Sequence, residues 1–140
     1  MRLITYVTFA GNCEEALNFY KEALGGEILQ LSHMGDEQME VPENLKDKVM
    51  HARLKIGDNV LYMSDTFDPA SVSQGNNVSL SLEVEDTRKL ESLFNKLSAG
   101  GAVKMPLEDT FWGARFGMFT DKFGIQWMMN CQLKKEPSLN

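Results

Sequence analysis

The stretch YVTFAGNCEEALNFYKEALGG, residues 6–26, carries the signals of a strand, a helix and a helix end in direct succession. The strand signal covers Leu3 to Phe9. The following Asn12-Cys-Glu-Glu15 has the form of a helix N-terminus whose side chains satisfy free backbone N–H groups. Gly25-Gly26 supplies the left-handed residue that ends many helices. Apolar residues at helical spacing lie between these signals: Ala16, Leu17, Phe19, Tyr20, Ala23 and Leu24. We therefore predict a helix that begins at Asn12 and ends at the paired glycines.

The same succession returns roughly 73 residues later, which indicates an internal repeat of one supersecondary unit. Val78 to Val84 alternates in the manner of a strand, Asp86 can cap a helix, and Gly100-Gly101 can end it. The apolar residues of this second helix are Leu90, Leu93, Phe94 and Leu97. A further strand follows each helix, from Glu27 to Ser32 in the first half and from Val103 in the second.

Each half then continues as a hairpin, because two strand-like runs flank a turn signal. The runs are Val49 to Ile56 and Val60 to Ser64 in the first half, and Ala114 to Thr120 and Ile125 to Cys131 in the second. The chain therefore reads as βαβββ twice, which predicts an α+β fold. Each sheet would cover its helix with one face, and the two remaining faces would curl into a curved, mixed-sheet cup.

We expect a single domain built from two modules. The predicted ranges are 1–65 for the first βαβββ module, 66–77 for a turn-rich linker, 78–133 for the second module and 134–140 for a frayed tail. The polar segment between Gly35 and Lys48 could act as a lid over the cup, and its Pro42 favours the start of a short helix.

The composition and charge of the chain exclude several kinds of partner and site. The 140 residues are 43% hydrophobic, enough for a real core, and the formal net charge is −6 without a basic cluster. A nucleic-acid partner is therefore not expected. No apolar run has the length of a membrane span and no signal peptide is recognisable, so we expect a cytoplasmic protein without a membrane partner. The two cysteines are far apart, which predicts neither a disulfide framework nor a cysteine zinc site.

The duplicated βαβββ pattern resembles the vicinal oxygen chelate superfamily, which has the glyoxalase, extradiol dioxygenase and bleomycin-resistance fold. Three motifs are similar to its PhnB-like branch and span nearly the whole chain: YVTFAGNCEEALNFYKEALGG, MHARLKIGD and FWGARFGMFTDKFGIQWMMNC. The resemblance implies a homodimer with a small-molecule cup. The branch is poorly defined in function, so the motifs predict the fold better than the chemistry.

Metal-dependent members of this superfamily hold their ion with four ligands, usually His and Glu, from the first and last strand of each module. Carried over by the resemblance, these positions are Thr5, Ser79, Met128 and either Tyr62 or Met63. We therefore predict no metal at the usual positions. A divalent metal stays possible at a displaced site that combines His33 and His51 with Glu37 or Glu40. A metal-dependent enzyme would use His51 and Glu83 first.

Strand alternation predicts which side chains line the cup. The expected lining is Thr5, Val7, Phe9, His51, Arg53, Ser79, Ser81, Trp112, Arg115, Gln126 and Met128. The dipeptide Ala52-Arg53 recurs as Ala114-Arg115, so two guanidinium groups could clamp a carboxylate or phosphonate. Alternatively, both arginines simply pair with acidic residues, and His51 is a hydrogen-bonded structural residue.

Three other side chains have two interpretations each. Cys13 at a helix start could have a lowered thiol pKa, or it could be a small residue packed in the first turn. Phe111 and Trp112 could form a wall over a ligand or pack at a dimer interface.

The sequence leaves two candidate functions. It identifies no catalytic residue and does not decide whether the protein is an enzyme. The first is a small-molecule-binding protein that lacks the usual metal site. The alternative is a metal-dependent lyase, isomerase or dioxygenase with displaced ligands. Some PhnB-like sequences are called demethylubiquinone methyltransferases, but no Gly-rich loop follows a strand and opens a helix here, as Rossmann-type methyltransferases require.

Overall fold

The computed structural model describes residues 1–36 and 40–133, and the chain divides into two compact units. The first unit ends at Ser73 and the second begins at Gln74. Each unit follows the order strand, helix, strand, strand, strand. The predicted α+β fold of tandem βαβββ modules is thereby confirmed.

The first unit is a four-stranded mixed sheet with one helix. Its elements are β1 (Thr5–Phe9), α1 (Cys13–Leu24), β2 (Glu27–His33), β3 (Val49–Ile56) and β4 (Asn59–Asp65). The strand order is β1-β4-β3-β2, in which β1 runs parallel to β4 and the other pairs are antiparallel. A 3-10 helix covers Glu43–Leu45 directly after Pro42, where a short helix was expected.

The second unit repeats this topology. Its elements are β5 (Leu80–Glu83), α2 (Thr87–Ser98), β6 (Ala102–Asp109), β7 (Ala114–Thr120) and β8 (Gln126–Gln132). The order β5-β8-β7-β6 again makes the first strand parallel to the last. No helix of the described residues is long and apolar enough to cross a membrane.

One face of each sheet packs against the helix of its own unit, and we name the two sides the helix face and the open face. In the first unit Leu54 and Met63 of the helix face are fully buried, together with Leu17 of α1. In the second unit Trp127 and Met129 take the equivalent place beneath α2. Burial of such side chains is the main favourable term in folding, at roughly 1.5–3 kcal/mol each.

A carboxylate at the end of β4 stabilises the N-terminus of α1. Asn12 is the N-cap residue of α1, as predicted, but its side chain does not make the expected capping hydrogen bond. Asp65, at the end of β4 and 6% exposed, accepts hydrogen bonds from the backbone N–H groups of Gly11 (2.9 Å), Cys13 (3.0 Å) and Val49 (2.9 Å). Its negative charge also complements the helix dipole. The carboxylate thus joins the β1–α1 connection to the start of β3.

The other helix ends agree with the sequence. Asp86 caps α2 by accepting a hydrogen bond from Arg88 N–H at 3.0 Å. Gly25 has φ 68° in the left-handed region, and the Gly26 N–H donates to the Lys21 carbonyl at 2.9 Å. A side chain larger than hydrogen is disfavoured at such a positive φ, which explains why glycine ends this helix.

His33 attaches the end of the edge strand β2 to the first turn of α1. Its Nε2 contacts the carboxylate of Glu14, and its Nδ1 lies 3.6 Å from Asp36 Oδ2. The hydrogen bond with Glu14 raises the pKa of His33, and the charges of Glu14, Asp36 and Asp47 act in the same direction against a lowering by partial burial. Protonated His33 therefore contributes to stability.

We predict that Asp65→Ala destabilises the protein by about 3 kcal/mol or more, because two buried backbone donors and one part-buried donor lose their acceptor. Urea denaturation measures the change. The control is Asp68→Ala, which removes only an exposed acceptor for Ala70 N–H and should cost about 1 kcal/mol or less. Equal losses in the two variants would contradict the role given to Asp65.

We also predict that the stability added by His33 depends on pH. A folded-state pKa above the usual value of about 6.5 means that the contribution is fully present below that value and is lost as pH rises through the raised pKa. The free energies of unfolding of His33→Gln and of wild type, measured by urea denaturation, should therefore converge as the pH rises. A constant difference across the range would be incompatible with this assignment. Glu14→Gln should lower the midpoint of the His33 ring proton titration, measured by NMR.

Candidate functional site

The open face of the first sheet carries a compact group of side chains from three neighbouring strands, Tyr6, His51, Arg53 and Tyr62, which we name the aromatic–arginine cluster. The ring centroids are 5.9 Å apart for Tyr6 and His51, 6.2 Å for Tyr6 and Tyr62, and 5.4 Å for His51 and Tyr62. The Tyr6 Oη lies 3.3 Å from His51 Nδ1. The Arg53 guanidinium carbon is 5.3 Å from the Tyr62 ring centroid, within cation–π distance.

Strand register explains why these side chains meet. Tyr6 and Arg53 both pair with Tyr62, which lies on the strand between them. Residues paired directly across strands point to the same side of a sheet. His51 lies two residues before Arg53 on β3 and therefore shares this face. The sequence placed His51 and Arg53 correctly on the face away from the helix but did not identify Tyr6 as their neighbour.

Arg53 has no carboxylate partner among residues 1–36 and 40–133. No ion pair joins it to a described acid, and its buried Nε lacks a hydrogen-bond partner. A buried donor without an acceptor costs roughly 1–3 kcal/mol. An anion beside the guanidinium would supply the charged partner that no described acid provides.

Arg115 differs from Arg53 in both face and partners, so the predicted clamp of two arginines is wrong. It pairs with Cys131 of β8, which is buried on the helix face. Its Nη2 lies 3.2 Å from Glu91 Oε1 of α2, and its Nη1 lies 3.0 Å from Asp109 Oδ1. The alternative interpretation, a structural ion pair, is correct for this arginine even though its Nε is also unpaired.

Close packing beneath α2 explains the reversed face of β7. Gly117 lies on the same face as Arg115, and a Cβ at Gly117 would come within 2.8 Å of the Phe94 ring. Phe94 and Phe119 pack edge to face at 5.1 Å. The helix face of β7 thus has a glycine where the sequence pattern suggested an apolar residue, and Phe116 points to the open face.

The structure also places Thr5, Val7 and Phe9 on the helix face, opposite to the predicted side. Strand pairing sets all three beside buried residues of β4, and Phe9 is only 3% exposed. Tyr6 and Thr8 occupy the open face of β1 instead.

One additional residue in the first unit accounts for this reversal. Ala10 and Gly11 separate Phe9 from Asn12, the residue before α1, whereas Glu85 alone separates Val84, directly after β5, from Asp86, the residue before α2. Alignment of the two halves on their helix starts ignores the extra residue, and a shift by one inverts the face of a strand. Gly11 has φ 110°, which accommodates the longer connection.

The open face of the second sheet holds several of the other predicted residues. Ser81 pairs with Met128, and Gln126 pairs with Thr120, whose hydroxyl donates to the Gln126 side-chain oxygen at 3.0 Å. Ser79 directly precedes β5 and is partly exposed.

Trp112 lies between β6 and β7. It is 58% exposed, its ring contacts Phe111 at a centroid distance of 5.0 Å, and Phe111 is 97% exposed. Both interpretations of this aromatic pair remain predictions.

The residues at the usual ligand positions do not fit a transition-metal ion. The open-face residues that pair between the first and last strands are Tyr6, Thr8, Tyr62 and Ser64 in one unit and Ser81, Glu83, Met128 and Asn130 in the other. This donor set contains one carboxylate and no imidazole, whereas divalent transition metals need several such ligands. Across the described residues, no group of three or more His, Cys, Asp or Glu side chains could hold a metal.

The displaced metal site does not assemble from the two histidines. His33 contacts Glu14 of α1 on the helix side, whereas His51 contacts Tyr6 on the open face. Glu14 and Asp36 approach different ring nitrogens of His33, so they do not converge on one ion. Glu37 lies outside the described residues, and Glu40 is exposed.

Cys13 is not a reactive thiol. Its side chain is fully buried. Burial raises the pKa of the Cys13 thiol, and the charges of Asp65 and Glu14 raise it further. The packing interpretation is therefore correct, and the lowered pKa is not.

One hollow of about 430 Å³, beside His33, contains Lys46, whose Nζ lies 2.7 Å from Glu43 Oε2. A second hollow of about 430 Å³, near the start of α1, also contains a cation. Asn12, Lys48 and Thr66 contribute to its lining. The Lys48 ammonium already donates to the Gly11 carbonyl at 2.9 Å. The aromatic–arginine cluster, whose guanidinium has no described anionic partner, is therefore the stronger candidate site.

Comparison with known proteins identifies the family. The chain is 31% identical to the protein YjdN of Escherichia coli, over an alignment that covers 99% of each chain. The solved structure of PA1353 from Pseudomonas aeruginosa has a TM-score of 0.84 and 44% identity, and covers 94% of this chain and 98% of that one. A PhnB protein from Bacillus cereus has a TM-score of 0.81 and 26% identity, with 94% and 99% covered. Residues 2–129 match the family described as Glyoxalase/Bleomycin resistance protein/Dioxygenase superfamily, and the chain belongs to this superfamily.

Proposed function

We propose that this protein binds a small anionic molecule on the open face of its first sheet, with Arg53 as the anion-binding residue. The observation that carries the proposal is the guanidinium without an acidic partner among the described residues, beside a partly exposed aromatic surface. Arg115, the arginine of the second Ala-Arg dipeptide, is paired with two carboxylates and provides a comparison with Arg53 within the same chain.

The chemistry of the cluster suits a carboxylate, phosphonate or phosphate. A guanidinium presents paired N–H donors that match two oxygens of such an anion, and these charge-assisted bonds are stronger than neutral ones. Contact with Tyr62 restricts the orientation of Arg53, which lowers the entropy lost on binding. The Tyr6 hydroxyl and the His51 ring supply further polar atoms at the edge of the site.

We predict that Arg53→Gln weakens the binding of a small oxyanion by about tenfold or more, since the loss of a charge-assisted hydrogen bond costs roughly 1.5–3 kcal/mol. Isothermal titration with benzoate, methylphosphonate and inorganic phosphate gives the dissociation constants. Lys55→Gln is the matched control, because it removes the same charge two residues further along β3. Equal effects of the two substitutions, or no binding by wild type, would refute the proposal.

The alternative function is a metal-dependent lyase, isomerase or dioxygenase. It requires ligands other than the open-face residues, whose donor set does not fit a metal. We predict no stoichiometric metal in untagged protein purified without chelator, measured by elemental analysis. A full equivalent of zinc, nickel, iron or manganese would instead support the enzyme, with His51 and Glu83 as the first ligands to substitute.

The homodimer implied by the family resemblance stays a prediction, as does the cytoplasmic location. Phe111 and Trp112 are the exposed aromatic pair that a second copy would cover. The four side chains of the aromatic–arginine cluster all come from one chain.

A further inference from the structure

We infer that the ligand class of this site is an aryl anion, in which a carboxylate or phosphonate is attached directly to an aromatic ring. The inference rests on the proposed function, because it assigns the anion to Arg53 and asks what the rest of the molecule must be. The three rings beside Arg53 carry the argument.

The rings form one continuous surface rather than separate side chains. Tyr6, His51 and Tyr62 lie within 6.2 Å of one another between centroids. Tyr6 is 48% exposed although it contacts both of the other rings. Uncovered aromatic surface gains free energy when another flat apolar group covers it, and ring pairs at such distances add a specific attraction.

The position of Arg53 sets how a ligand would lie on this surface. Arg53 and Tyr6 flank Tyr62 on the two neighbouring strands, and neighbouring strands are about 4.8 Å apart, so about 10 Å separates the outer two. An anion bound at Arg53 therefore directs any ring attached to it over Tyr62 and towards Tyr6. An acid without a ring, such as acetate, contacts Arg53 but leaves the aromatic surface uncovered.

The charge of the cluster excludes the other common ligand of aromatic surfaces. Aromatic cages bind quaternary ammonium groups through the negative faces of their rings. Here the Arg53 guanidinium already lies 5.3 Å from the Tyr62 ring centroid, and none of the four side chains is a carboxylate. A second cation would be repelled at this distance, so the ring-bearing ligand must be neutral or anionic, and Arg53 favours the anion.

Matched ligand pairs test the inference by isothermal titration. We expect benzoate to bind wild type about three- to tenfold more tightly than cyclohexanecarboxylate, and phenylphosphonate to exceed methylphosphonate by a similar factor, because ring contacts have this magnitude. Benzyltrimethylammonium should not bind. The comparison of benzoate with cyclohexanecarboxylate separates aromatic contact from simple apolar burial.

Two substitutions locate the effect. Tyr6→Leu should reduce the preference for benzoate, because one of the three rings is lost while Tyr62 stays in place, and should leave the affinity for methylphosphonate within about twofold, because Arg53 is retained. Phe67→Leu is the control, since Phe67 is an aromatic residue with 51% exposure outside the cluster. If Tyr6→Leu does not fold, intermolecular NOEs from benzoate protons to the Tyr6 and Tyr62 rings in wild type provide the same test.

The outcomes distinguish failure of the aryl-anion inference from failure of the proposed anion-binding function. Equal affinities within each ligand pair, all lost in Arg53→Gln, would overturn the aryl-anion inference and leave the proposed function intact. Absence of binding by every anion would overturn both. A preference for benzoate that is undiminished in Tyr6→Leu would place the ring elsewhere and also refute the inference.

Discussion

The Asp65 carboxylate is the interaction on which the first unit depends. It lies at the end of β4, accepts three backbone hydrogen bonds, and so holds the β1–α1 connection and the start of β3 in place. The longer connection that it stabilises is also the one that turns Tyr6 towards the open face. Asp65 thus stabilises the connection next to the strand that carries Tyr6.

The second unit also has a buried aspartate that accepts three hydrogen bonds, but at a different connection. Asp121, 3% exposed, accepts hydrogen bonds from the N–H groups of Phe123 (2.9 Å) and Ile125 (3.0 Å) and from Trp127 Nε1 (2.8 Å). It therefore stabilises the β7–β8 turn rather than a helix start. The two units share a topology, but their buried charges hold different connections. Their open faces also differ in chemistry. One has an arginine among rings, without an acidic partner in the described part of the chain, and the other combines hydroxyl, amide and methionine side chains with Glu83 and Phe116.

Sequence patterns predicted the elements well because periodicity and end signals are local. The predicted bounds of β3 and β7 equal the observed ones, and the paired glycines end α1 as expected. The sequence did not predict correctly which side chains of β1 and β7 point to the helix face, because this depends on features outside a local apolar pattern. In β1 the decisive fact is the extra residue beside Gly11, and in β7 it is the contact of Gly117 with Phe94. The recurring Ala-Arg dipeptide was misleading for the same reason, since Ala52 lies on the helix face whereas Ala114 does not.

The central claim is that a ligand binds at the aromatic–arginine cluster, and backbone amide NMR during titration with phenylphosphonate tests it most directly. The account predicts that the largest chemical-shift changes fall on Tyr6, His51, Arg53 and Tyr62, with small changes along α1. Largest changes at Asn12 and Lys48, or around Trp112, would contradict it, because the ligand would then occupy the hollow near α1 or the exposed aromatic pair.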